Sequence, residues 1–183
     1  MGWILGGIAI AGIAWLIVVY NRLVARRNRV EEAWAGIDVQ LQRRADLVPN
    51  LVETVKGYAG HERRTLEDVT EARTRLVQAD NPEDAEQADA ALDAALGRLF
   101  ALAEDYPELR ASENFLALQR ELAEIEEELS FARRYYNSVV ENHNTGIEQF
   151  PTLLVARPFG FERRPYFRAG EDERVAPQVD LER

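Results

Sequence analysis

The sequence predicts an all-α protein: an N-terminal transmembrane helix continuing into an elongated, antiparallel, up-and-down four-helix bundle with coiled-coil-like packing. Three observations predict it. Residues 1–20 carry no charged side chain. Beyond them, apolar residues recur at helical intervals through most of the chain. The longest such run, Phe115 to Phe150, alternates steps of three and four for five heptads, and a stripe that long needs partner helices of similar length.

The anchor, residues 1–21, comes first. From Trp3 to Tyr20 a helix rises about 27 Å, close to the thickness of bilayer hydrocarbon. Trp3 and Tyr20 stand where interfacial aromatics belong, and Arg22, Arg26, Arg27 and Arg29 follow at once, with stems able to snorkel to the headgroups. A cleaved secretory signal would carry its positive charge before the apolar run and a small-residue cleavage site after it. Here the charge lies on the other side, and the one A-x-A, Ala9 to Ala11, falls inside the run. The expectation is a single-pass span in the inner or plasma membrane. Its amino terminus is outside as a stub of one or two residues, and the bulk of the chain is cytoplasmic. The same arginines are positioned to attract anionic lipid.

Residues 22–151 should form the bundle. Val30, Trp34, Ile37, Leu41, Ala45 and Val48 make the seam of the first helix. Asp46 is placed to cap a new helix with Pro49 in its first turn, although a kinked continuous helix satisfies the same residues. The second helix would carry Leu51, Val55, Tyr58 and Ala59, then pass Gly57 and Gly60 to reach Leu66, Val69, Ala72 and Leu76. Asn81-Pro82 breaks the pattern. An alanine-rich third helix (Ala85, Ala88, Leu92, Ala95, Leu96, Leu99, Ala103) ends at Pro107. The fourth starts near Ser112 and stops at Pro151, and it outruns the third, so its far end should keep seam for something else to cover. The tail, 152–183, mixes aromatics without a clean period and then becomes polar, so it should be partly disordered.

Composition narrows the chemistry. The chain has no cysteine and a net charge of −10. Thiolate chemistry is excluded, and nucleic acid is disfavoured because the one dense basic cluster abuts the membrane. A di-metal carboxylate bundle needs paired Glu-x-x-His, yet the only histidines, His61 and His143, have Tyr58 and Val140 three positions earlier. There is no P-loop, dinucleotide turn or nucleophile elbow. His143 on the seam reads as a hydrogen-bonded core residue. No catalytic, cofactor-binding or metal-binding residue is read from the sequence, and the chain is expected not to be an enzyme.

Four stretches resemble the LemA family of bacterial and archaeal membrane proteins: RNRVEEAWAGIDVQLQRRADLVPNLVETVKGYAGHE (27–62), EAR (71–73), YPELRASENFLALQRELAEIEEELSFARRYYNSVV (106–140) and IEQFP (147–151). The resemblance implies a four-helix bundle behind one span, with Trp34, Ile37, Leu41, Tyr58, Phe115, Leu118, Leu122 and Tyr136 in the core. It brings no established activity. Some relatives act in remodelling inner membranes into organelle compartments, and family genes often neighbour membrane-protease genes.

The expectation is therefore a non-enzymatic, membrane-anchored scaffold forming lateral homo-oligomers on the cytoplasmic face, in membrane organisation or remodelling. The alternative is a monomeric membrane-tethered adaptor that recruits a protein partner such as a membrane protease. Candidate interaction residues are Arg43, Arg44 and Asp46 on the first helix, and Arg133, Arg134 and Tyr135 on the fourth. Phe150, Phe159 and Phe161 join them at the end of the fourth helix and in the tail, where contact with a neighbouring subunit or the membrane surface is expected.

Overall fold

The computed structural model describes residues 2–167. The polar tail expected at 169–183 lies outside the described residues. The chain is all-α, and among the described residues there is no strand. The elements are α1 (Gly2–Ala59), α2 (Arg63–Val77), α3 (Pro82–Glu104), the single turn α4 (Pro107–Arg110), α5 (Glu113–Glu148) and the single turn α6 (Leu153–Ala156). They fall into two compact units, one of residues 2–40 with 126–166, the other of 41–125 with 167.

Among the described residues there are four long helices, but the first two are divided elsewhere than the sequence suggests. No helix starts at Asp46. Helix α1 runs from the apolar segment through Pro49 to Ala59, and its buried seam stays in phase across the proline: Ile37, Leu41, Ala45, Val48, Leu51, Val55, Ala59. Proline 49 has no N–H for the carbonyl of Ala45. That carbonyl instead accepts a hydrogen bond from Nε–H of Arg73 on α2, at 2.9 Å. The break comes at Gly60 to Glu62, where Gly57 in the last turn and Gly60 at the break itself are poor helix formers, each about 1 kcal/mol worse than alanine. Tyr58, expected in the core, is exposed because the seam passes through Val55 and Ala59 instead.

In the unit of residues 41–125, α2 and α3 form a helical hairpin. Asn81 caps α3, its Oδ1 accepting from the backbone N–H of Glu83 and Asp84 at 3.1 and 3.0 Å, with Pro82 in the first turn. Arg98 of α3 reaches Asp68 of α2, and Phe100 meets Phe115 of α5 edge-on, with centroids 6.1 Å apart.

In the other unit, α5 runs antiparallel to α1. Trp34 meets Tyr136 edge-on, Arg26 lies against Gly146, and Ile147 joins Val19 and Leu23 in one apolar cluster. The far seam of α5 is thus covered within the chain: His143 and Ile147 are buried. The expectation of an uncovered seam compared α5 only with the third helix, whereas the unbroken α1 supplies the missing partner. Helix α5 ends at Glu148, two residues short of Phe150, which lies off the seam and is 80% exposed. Residues 2–18 of α1 are exposed apolar surface, and this helix is long and apolar enough to cross a membrane.

Candidate functional site

Residues 150–166 return along the end of α5 and reach α1 where the apolar run stops. Only the α6 turn is helical there, so the irregular strap after it, residues 162–166, has backbone groups without ladder partners. Side chains of α5 supply them. Asn144 Nδ2 donates to the carbonyl of Arg164 at 2.9 Å, and its Oδ1 accepts from the N–H of Arg164 at 2.8 Å. Nε2–H of His143 donates to the carbonyl of Glu162 at 3.0 Å. The Tyr136 hydroxyl donates to the carbonyl of Pro165 at 3.1 Å. Burial pushes the Tyr136 phenol above its ordinary pKa, and the positive charge of Arg164 opposes that shift. Ion pairs from Arg163 to Glu148 at 2.6 Å and from Arg164 to Glu31 at 3.6 Å hold the strap to α5 and α1.

Upstream of the strap the chain turns on Gly160. Its φ of 70° lies in the left-handed region. The N–H of Phe161 bonds to the carbonyl of Ala156 and that of Gly160 to the carbonyl of Arg157, the two bonds of a Schellman cap. The cap sets Phe159 and Phe161 on either side of it. Both rings meet Tyr20 edge-on, with centroids 5.1 and 5.7 Å away, and the guanidinium of Arg27 lies 5.9 Å over Phe161. Beneath them, Val155 and Ala156 pack on Val19, Leu23 and Ile147.

One turn farther along α1, Arg26 is half-buried. A Cβ on Gly146 would sit 1.5 Å from its Nη1, so the absence of a side chain at 146 makes the seat for this guanidinium. Arg26 and Arg29 line a cleft of about 380 Å³ with Tyr135, Ser138, Val139 and Asn142. Two cations, several neutral polar groups and no acidic residue make its lining suited to an anion.

The remaining candidates are placed separately. Trp3 and Arg22 are exposed on α1. Arg43 is exposed, and Asp46 accepts a hydrogen bond from Gln42 Nε2 at 2.8 Å. Arg44 points inward: its Nη1 donates to Asp89 at 2.7 Å, both residues being buried, and its Nη2 pairs with Asp93. On α5, Arg133 is half-buried and reaches Glu126, while Arg134 and Tyr135 are exposed. The Arg134 guanidinium lies 6.0 Å over Phe131, which is 67% exposed. Among the described residues no three His, Asp or Glu side chains are grouped to hold a metal ion.

A family model described as the LemA family matches residues 33–181. The chain belongs to the LemA family. Magnetosome protein MamQ 2 of Paramagnetospirillum magneticum is 27% identical over 199 residues, spanning 93% of this chain and 73% of its own. Protein LemA of Metamycoplasma hominis is 28% identical over 167 residues, covering 90% and 76%. Magnetosome protein MamQ of Magnetospirillum gryphiswaldense is 25% identical, with 93% and 73% covered. The LemA match takes in Arg44, Asp89, α5 and the strap, and the apolar run before Ala33 lies ahead of it.

The sequence pointed to Phe150, Phe159, Phe161 and Tyr20, and the structure brings the last three together. It missed Asn144, Asp89, Phe131 and the Gly146 seat. Asp89 and Arg44 each had a visible signal: both are charged residues in phase with an apolar seam, Asp89 with Ala85 and Leu92, Arg44 with Leu41 and Val48.

Proposed function

We propose that this chain is a non-enzymatic, membrane-anchored scaffold whose helices beyond the span associate side by side with copies of themselves on the cytoplasmic face, in membrane organisation. The observation that carries the reading is the outward face of α5. Phe131 and Tyr135, one turn apart, are 67% and 51% exposed, with the guanidinium of Arg134 over the first ring. Single exposed apolar residues are ordinary, but two aromatics and an arginine on one face have the composition of an interface centre. The orientation follows from Arg22, Arg26, Arg27 and Arg29 after the apolar run. Relatives named for the magnetosome support a role in membrane organisation.

The test is light scattering on the full chain in detergent at micromolar concentration. Wild type should form a discrete oligomer, and Phe131→Ser with Tyr135→Ser should shift it toward monomer without changing the helical circular dichroism. A monodisperse wild-type monomer would refute the scaffold and favour the adaptor. A cysteine introduced at Gly2, in a chain that has none, should react with an impermeant thiol reagent on intact cells; failure there would overturn the orientation.

A further inference from the structure

We infer that residues 150–161 are a second membrane contact, an aromatic collar seated in the lipid interface beside the span. The inference rests on α1 crossing the bilayer through its first 20 residues. Val19 belongs to that apolar run, yet it is buried, in one cluster with Val155, Ala156 and Ile147. Whatever shields Val19 lies at the hydrocarbon edge. The collar is therefore at that depth already, and the edge-on contacts of Phe159 and Phe161 with Tyr20 fix it there from a second side.

What the collar turns outward fits lipid. Leu154 is 61% exposed, Phe150 80% and Phe159 53%, while Val155 and Ala156 face inward. Large apolar groups held at the membrane edge gain the same burial free energy from acyl chains as from protein, and lipid is already present. Charge agrees. In a chain of net charge −10, residues 149–161 include no Asp or Glu, and their one charged residue is Arg157, the sign that an anionic leaflet attracts. The Schellman cap at Gly160 gives the segment its sharp return, so both aromatics meet Tyr20 instead of following the strap. The hydrogen bonds from Asn144, His143 and Tyr136 then hold the next residues to α5.

The chain has no cysteine, so single nitroxide labels at Leu154→Cys and Phe150→Cys can be read in the full-length protein. The protein is reconstituted in phosphatidylcholine vesicles containing one quarter phosphatidylglycerol, with Ile10→Cys and Val39→Cys as references. Collision with oxygen reports the lipid interface, and collision with a water-soluble nickel chelate reports solvent. The ratio of oxygen to nickel collisions at 154 and 150 should lie between the high value at Ile10 and the low value at Val39. A ratio equal to that of Val39 would place the segment in water and overturn the collar. Shielding from both reagents, with spin–spin broadening relieved by unlabelled protein, would put a second copy there and also overturn it. Should Ile10 itself prove accessible to nickel, the span and the collar would fall together.

Discussion

The carbonyl of Ala45 ties a proline on one helix to an arginine on another, and the tie is measurable. An interior proline costs about 3 kcal/mol relative to alanine, part of it the lost hydrogen bond and part the clash of its ring. Ala45 is fully buried, so an unsatisfied carbonyl there would cost about 1–3 kcal/mol. Nε–H of Arg73 supplies the missing donor at 2.9 Å. Arg73→Leu keeps the apolar stem and removes the donor, so it should destabilise the full chain by about 2 kcal/mol. In a Pro49→Ala background the N–H of residue 49 returns to the same carbonyl. There the cost of Arg73→Leu should fall below about 1 kcal/mol, leaving a coupling of about 1–2 kcal/mol between residues 24 positions apart. Urea unfolding of the four proteins in one mild detergent, followed by circular dichroism, completes the cycle. Equal costs of Arg73→Leu in both backgrounds would refute the compensation and reduce the bond to an incidental contact.

Two further outcomes follow from buried polar groups. Arg44→Met removes the guanidinium from Asp89, a carboxylate only 1% exposed, and should cost about 3–5 kcal/mol. Arg44→Met with Asp89→Leu should recover most of the loss in thermal melts, and the half-exposed Asp93 should account for under about 1 kcal/mol. For Tyr136, burial raises the phenol's pKa above its ordinary 10.0, so between the two values the folded chain keeps a proton that the unfolded chain releases. Stability should therefore fall as pH rises past about 10, and Tyr136→Phe should flatten that decline in melting temperature between pH 8 and 11.

The helical class and the long apolar N-terminal helix were legible because both are periodic or compositional signals carried by many residues. The division of α1 was not, because the local signals of Asp46 and Pro49 oppose a global one. Phase decides between them. Ala45, Val48, Leu51 and Val55 keep one stripe across Pro49, whereas a fresh helix would have been free to restart its stripe. The donor that makes the proline tolerable lies 28 residues beyond Ala45, and no window of local sequence contains both. The strap was illegible for a different reason. Its irregular backbone has no period and is held by Asn144 and His143 from 20 and 19 positions away. Phe131 escaped notice because an exposed aromatic off the seam leaves no pattern of absences to read.

A lone transmembrane helix fixes where a protein sits but leaves it free to tilt against the membrane plane, so the same flank need not meet a neighbour at the same height. The collar at 150–161 would restrict that freedom. It docks on one side of α1, over Val19 and Leu23, and lipid contact at Leu154 and Phe159 would hold that side against the leaflet. Helix α5 packs on α1 within the same compact unit, so its tilt follows from that of the collar. The flank carrying Phe131 and Tyr135 would then stand at a fixed height and tilt above the leaflet in every copy, which lowers the orientational cost of lateral association between identical chains. The two proposals are therefore linked in one direction. Loss of the collar should loosen the assembly of chains in a bilayer, where tilt and depth matter, more than in detergent, where there is no plane to orient against.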